Sequence, residues 1–346
     1  MKASGSASNA STDDAGAGSS GSGSGEIEMG LYSCRMVERV LQQLQAANKL
    51  PDLSAGERIA LPHLFEFDQL HYCGTEALDK AIALLGLGKG CRVLDVGCGL
   101  GGPARYLAWR AEAHVTGVEL QPRMKAAALA LTQLTDLKDS ELLRFVEGDF
   151  TQLGLTDLSG CNTPFDSLIS YLCFLHIPNK EALFQKCFDA LRPGGTMLIE
   201  DFYLKQPASL VTSNIKAKLV GMVACAWPML DRPSYEQHLR SAGFQVVNFE
   251  ELTDEWAPFV KQRAESFRRG KHQSQQERPS SPAEELDEGG KEALQLDAFY
   301  HTVSELFNDP KQEVGGARIH CVKPPVASPP APSSIYPLCC LTNMTT

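Results

Sequence analysis

Short apolar, β-branched runs alternate with longer amphipathic stretches over most of this chain. The first run, Arg92–Val96, leads through a glycine-rich turn into the helical pattern Ala104–Arg110. The alternation continues with a strand at Ala113–Val118 ending in Glu119, a helix at Arg123–Leu134 and a strand at Leu142–Glu147. Next come a strand at Phe165–Leu172, a helix at Lys180–Leu191 and a strand at Thr196–Asp201. A helix at Ser234–Ala242, stopped by Gly243, precedes strands at Gln245–Glu250 and Gly315–Val322. Strands that alternate with helices in this way predict an α/β fold, a doubly wound sheet with helices on both faces. Ahead of it, Leu31, Met36, Val37, Val40, Leu41 and Leu44 recur at helical spacing, which predicts a docked helix over Leu31–Ala46. A second helix, Glu76–Leu85, has Thr75 placed to cap it. Late in the chain the patterns Glu255–Arg269 and Gly290–Phe307 read as helices, split by the polar run His272–Gly289, which reads as a mobile loop.

Composition sets the limits of this organisation. Residues 1–28 are mostly Ser, Gly, Ala and Asn and cannot bury enough surface to order themselves; residues 324–346, rich in proline, read the same way. That leaves residues 29–323 as one domain with a helical insertion at about 254–310. Hydrophobic content of 43% supplies a large core, and no apolar run approaches the length of a membrane span. The net charge of −10 offers no basic stripe for nucleic acid. The eleven cysteines are scattered without metal-ligand spacing, so reduced thiols in a cytoplasmic protein are the expectation, with no metal. Asp13 and Asp14, with no early arginine, argue against an organellar transit peptide and leave such import open.

The chemistry centres on Val93-Leu94-Asp95-Val96-Gly97-Cys98-Gly99-Leu100-Gly101-Gly102-Pro103-Ala104-Arg105. Gly97, Gly99 and Gly102 satisfy G-x-G-x-x-G, so a nicotinamide or flavin dinucleotide, and with it an oxidoreductase, is one reading. Asp95 argues against it. A carboxylate two residues before the first glycine repels a pyrophosphate and holds the ammonium of an amino-acid moiety, which favours S-adenosyl-L-methionine. Glu119, about twenty residues beyond the glycines, has the spacing at which an acid accepts both ribose hydroxyls. Asp149 then suits the adenine amino group, with Phe150 packed on its ring. At the end of the fourth strand His176 is placed to accept a proton from a nucleophile or to orient backbone or cofactor.

This loop, with its Gly-Gly-Pro-Ala-Arg ending and the later turn Arg192-Pro193-Gly194-Gly195, resembles class I S-adenosylmethionine-dependent methyltransferases. The ending is similar to that of small-molecule members, the N-methyltransferases of the glycine, sarcosine, dimethylglycine and phosphoethanolamine kind and the sterol and tocopherol C-methyltransferases. The resemblance implies a Rossmann-like seven-stranded sheet whose last strand is antiparallel and lies between the fifth and sixth. It also implies that the segment Leu64–Asp79 folds over the cofactor, with Tyr72 and Gly74 near the methionine end. The cofactor set is then Tyr72, Gly74, Asp95, Gly97, Gly99, Gly101, Glu119, Leu120, Asp149, Phe150 and Ser170. Catalytic candidates are His176, His71 and Tyr72, with Asp68 also on the substrate side. Glu200, Asp201 and Asp231, with Tyr203, Trp227, Met229 and Tyr235, are placed to suit a cationic amine. Trp256, Phe259, Phe299 and Tyr300 resemble the insertion of sarcosine and dimethylglycine methyltransferases, which favours a small amine. Methyl transfer to an amine is the reading. A lipid-directed C-methyltransferase of the sterol or tocopherol kind and a non-catalytic S-adenosylmethionine-binding protein are its rivals beside the oxidoreductase.

Overall fold

The computed structural model of the chain describes residues 35–276 and 288–326. The expectations for residues 1–28 and 327–346, for the start of the first helix and for residues 277–287 of the polar run lie outside the described residues. In chain order the helices are α1 (Met36–Ala46), α2 (Leu61–Leu64), α3 (Gly74–Leu85), α4 (Gly102–Ala111), α5 (Pro122–Gln133) and α6 (Leu155–Ser159). They continue with α7 (Lys180–Ala190), α8 (Ser213–Gly221), α9 (Arg232–Ser241), α10 (Thr253–Gln276) and α11 (Glu288–Phe307). The strands are β1 (Arg92–Val96), β2 (His114–Glu119), β3 (Leu143–Glu147), β4 (Phe165–Tyr171), β5 (Leu191–Leu204), β6 (Gln245–Glu251) and β7 (Val314–Val322).

The strands form one seven-stranded sheet in the order β3-β2-β1-β4-β5-β7-β6. β7 runs antiparallel between β5 and β6, and the other pairings are parallel, so the expected topology holds. Parallel strands are buried on both faces, and successive residues serve opposite cores. Val93 and Ile169 pack with Ala77, Leu78 and Leu107 of α3 and α4, while Leu94 and Leu168 pack with Phe184 and Leu239 of α7 and α9. A third cluster, with Trp256, Phe202, Leu219 and Leu306, seats α8, α10 and α11 beyond the end of β5.

Several expectations need correction. Thr75 does not cap α3; that helix starts at Gly74 after Cys73, which takes the cap position in the left-handed region (φ +59°) without a side-chain bond. α10 runs to Gln276, so the start of the polar run continues the helix. Part of the connection Phe202–Tyr235 is regular, being the end of β5 and the helix α8. Tyr203 and Tyr235 belong to the sheet core, and the Tyr203 hydroxyl donates to Glu251 at 2.8 Å.

Buried charges in the framework are paired. Arg105, inside α4 with no exposed side-chain surface, donates to Asp68 Oδ2 from Nε (3.2 Å) and Nη2 (2.9 Å), and to the carbonyls of Ala128 and Leu100. Asp68 Oδ1 accepts from Gln69 at 2.7 Å. This ties the segment before α3 to the helix that follows the glycine loop. Removing one member leaves the other charged and dry, so Asp68→Ala is expected to cost about 3–5 kcal/mol in urea unfolding. The double variant Asp68→Ala/Arg105→Met is expected to recover most of that loss.

Candidate active site

The carboxyl ends of β1 to β5 open on a cavity of about 260 Å³, the place where an open α/β sheet receives its ligand. Its floor is the turn after β1. Gly97 has φ +78° and a Cβ there would lie 2.3 Å from Cys173 Sγ, so only glycine fits. Gly97 and Cys98 both donate their amides to Val118 O, which pins the turn against β2. Asp95 ends the strand with 1% of its surface exposed, and its Oδ2 is buried without a hydrogen-bond partner. Burial, with repulsion from Glu119 second, pushes its carboxyl up to about 8. Glu119 is held in place by its neighbours: Oε2 accepts from the Gly99 amide (3.0 Å) and Oε1 from the Gln121 amide (2.9 Å). Its carboxyl is also raised by burial, against the pull of those amides.

Most of the sequence-predicted residues meet in this cavity. Asp95, Gly97, Gly99, Glu119 and Leu120 line it, with Asp149 and Phe150 after β3. Asp149 Oδ1 also accepts from the amide and hydroxyl of Thr151, shaping its own turn. His71, Tyr72, Asp68 and His176 line the same cavity. Gly74, Gly101 and Ser170 are not among the lining residues, against expectation. The Gly74 carbonyl holds His71, Gly101 gives room to the Phe145 ring (2.7 Å from a Cβ), and Ser170 Oγ donates to Val96 O at 2.9 Å. Glu200 and Asp201 do not face the cavity either: Glu200 accepts from Arg318 at 2.7 Å, and Asp201 accepts from the amides of Leu175 and Phe202. Asp231 caps α9 by accepting from the Ser234 amide.

Two histidines face the cavity with their tautomers set by carbonyls. His176 Nδ1 lies 3.0 Å from Ala224 O, so the proton sits on Nδ1 and Nε2 is left as an acceptor. His71 Nε2 lies 3.0 Å from Gly74 O, so Nδ1 is the acceptor, and it is buried without a partner. Burial pushes His71 down to about 4 and lowers His176 as well, so both are neutral at pH 7. The Tyr171 hydroxyl, also buried and unpartnered, belongs to a ring 4.6 Å from that of His71. The turn Phe174–His176 is braced at both ends: Lys180 Nζ donates to the carbonyls of Phe174 and Ile177, and Asp201 accepts from Leu175 N.

Sequence reasoning missed Arg263. Its guanidinium lines the cavity and donates to the carbonyls of Leu70 and Gln69, both at 3.1 Å. It also stands over the rings of Tyr72, Phe259 and Tyr300 at 5.2–5.9 Å. No spacing signals it, because those carbonyl partners lie nearly two hundred residues away. Cys73, Leu172 and Ala224 are non-glycine residues held at φ of +51° to +59° around the same space, a strain of the kind concentrated at functional sites.

Asp95 makes the pH dependence of stability a test of this geometry. Its folded-state value of about 8 exceeds the ordinary value near 3.8. Between those values the folded chain keeps a proton that the unfolded chain has released, so stability falls as pH rises through that window and levels off above it. Asp95→Asn removes the charge, and thermal melts of the ligand-free protein should show it more stable by up to about 5 kcal/mol at pH 8, with the difference vanishing below pH 4.

Residues 94–199, which span β1 to the middle of β5, match the family described as Methyltransferase domain. Phosphoethanolamine N-methyltransferase 3 of Arabidopsis thaliana is 33% identical over 202 residues, which are 58% of this chain and 38% of that protein. The chain thus spans less than half the length of that curated relative. Among solved structures, Haemonchus contortus phosphoethanolamine N-methyltransferase 2, in complex with phosphomonomethylethanolamine and S-adenosylhomocysteine, superposes with a TM-score of 0.60 at 18% identity. That match covers 75% of this chain and 54% of that one. The cyclopropane synthase MmaA2 of Mycobacterium tuberculosis superposes at 0.58 and 16% identity, over 72% and 83% of the two chains. The strands that build the cavity floor therefore lie within the stretch that matches the Methyltransferase domain family.

Proposed function

We propose that this protein transfers a methyl group from S-adenosylmethionine to an amine nitrogen of a small molecule. The observation that carries the reading is the buried, unpartnered Asp95 carboxyl beside the glycine cradle, which holds its proton while the site is empty and gives it up when a cation pairs with it. A diphosphate brought there would meet both Asp95 and Glu119, whereas a ligand with an ammonium group satisfies Asp95. The cofactor's sulfonium supplies the electrophilic methyl. Asp95 pairs with the ammonium, Glu119 takes the ribose hydroxyls on its remaining lone pairs, and Asp149 and Phe150 hold the adenine. Gly97 and Gly99 let the ligand lie against the backbone.

The histidines that line the cavity support an amine. They carry acceptor nitrogens, Nε2 of His176 and Nδ1 of His71, suited to a nucleophile that donates N–H and turns its lone pair to the methyl. We assign His176 as the proton acceptor and Tyr72 and His71 to closing and orienting the site. Because burial lowers both histidines, a neutral base is present at pH 7, and orientation in a closed cavity supplies the rest. The relatives that methylate phosphoethanolamine point to the same bond-forming atom.

We further infer that residues 29–323 form one catalytic unit, with α10 and α11 as its helical insertion. No helix among the described residues is long and apolar enough to cross a membrane. The eight cysteines among the described residues are free thiols, which supports residence in the cytoplasm.

Calorimetric titration with S-adenosylmethionine and with NADH is the direct test. Binding of the first and not the second is expected, and tight NADH binding would sink the reading. Asp95→Ala should abolish that binding. His176→Ala should lower kcat about 100-fold with cofactor affinity retained, the size usual for a lost proton acceptor. The acid limb of the wild-type pH profile should fall below the ordinary histidine value of about 6.5, activity rising with pH as the ring is deprotonated.

A further inference from the structure

Asp95, Glu119, Asp149 and Phe150 account for the ammonium, ribose and adenine of S-adenosylmethionine, and its amino-acid carboxylate is left without a partner. Ammonium and carboxylate are borne on one carbon. A ligand that pairs its ammonium with Asp95, 1% exposed, therefore brings its carboxylate into the same enclosed end of the cavity. Glu119 adds negative charge there, and a buried carboxylate without charge-assisted donors is costly. The glycine turn has its amides committed elsewhere: Gly97 and Cys98 donate to Val118 O, Gly99 to Glu119 and Gly101 to Cys98 O. The cations among the described lining residues are Arg39 and Arg263. Arg39 is paired with the Glu292 carboxylate, which matches its charge. Arg263 donates to Leu70 O from Nη1 and to Gln69 O from Nη2, both at 3.1 Å. Those acceptors are neutral, so the guanidinium keeps its full charge and three of its five N–H groups. The segment it holds lies directly on the glycine loop. Leu70 Cδ1 is 3.3 Å from where a Cβ of Gly99 would stand, and Asp68 O is 2.5 Å from where one of Gly102 would stand.

Resting on the S-adenosylmethionine reading, we propose that Arg263 of α10 binds the carboxylate at the cofactor's amino-acid end. Asp95 and Arg263 then take the two charges of one zwitterion, the first from the sheet and the second from the helical insertion. A planar, permanently charged fork suits a carboxylate, and the rings of Tyr72, Phe259 and Tyr300, 5.2–5.9 Å away, restrict its orientation. The Tyr171 hydroxyl, buried in the same cavity without a partner, is a neutral donor available to the same anion. Cofactor binding thereby draws on a residue outside the stretch 94–199 that carries the glycine loop.

The full-length protein is titrated calorimetrically with S-adenosylmethionine and with its decarboxylated form, which keeps the sulfonium and the primary ammonium and lacks the carboxylate. The wild type is expected to bind the first about 30-fold more tightly, the scale of hydrogen bonds to a charged partner. Arg263→Met should weaken S-adenosylmethionine by about the same 30-fold and leave the decarboxylated form unchanged, so the preference disappears. Arg263→Lys keeps the charge and should restore part of the preference. Equal wild-type affinities for the two compounds overturn the proposal, and that comparison needs no variant to fold. A parallel loss of both affinities in Arg263→Met overturns it too, because it leaves Arg263 as a strut for Gln69 and Leu70 only. So does an Arg263→Met protein that retains the full preference; a raised KM for phosphoethanolamine in that protein would assign the guanidinium to an anion on the methyl acceptor. Failure of the wild type to bind S-adenosylmethionine at all is a different result, because it removes the cofactor reading and this proposal with it.

Discussion

A carboxylate buried at the end of a central parallel strand, with an oxygen that nothing in the protein satisfies, is the constraint that organises this molecule. Asp95 is enclosed because β1 is an interior strand of the sheet, flanked by β2 and β4. The glycines beyond it bring backbone where side chains would otherwise screen the charge, and Glu119, braced by two amides, adds a second negative group. Burial of such a group opposes folding, and a ligand that pairs with it recovers the cost. On the proposed reading, the strand order, the turn and the cofactor's ammonium are linked through this one carboxyl.

The contrast with the rest of the interior sharpens the point. Arg105 meets Asp68, Arg318 meets Glu200 and Glu250, Lys180 meets two carbonyls and Asp201 meets two amides. These groups hold elements together, and each is satisfied within the fold. Around the cavity the pattern reverses: Asp95 Oδ2, His71 Nδ1 and Tyr171 OH are all buried and unpartnered. Three of the buried unsatisfied atoms thus belong to residues that line one cavity, an observation drawn from hydrogen bonds and independent of any resemblance.

Much of this was legible in the sequence because the relevant signals are local. Strand and helix periods placed β1 to β7 within a few residues, and Asp95, the glycines and Glu119 sit at spacings fixed by a strand, a tight turn and a second strand. The failures share a cause. Glu200 and Asp201 end the right strand on the right edge, yet whether they meet ligand or protein depends on Arg318 and Leu175, which are remote in the chain or belong to the backbone. Ser170 alternates away from the cavity to brace β1, and Tyr203 and Tyr235 point into the sheet core. Arg263 is invisible for the same reason, its partners being carbonyls of a segment far ahead of it.

The segment Asp68–Tyr72 joins these levels. Asp68 fastens it to α4 through Arg105, and the carbonyls of Gln69 and Leu70 fasten it to α10 through Arg263. His71 and Tyr72, between and beyond those anchors, reach the cavity. A segment so anchored loses little further entropy when a ligand arrives, so its polar atoms can be spent on the ligand rather than on itself.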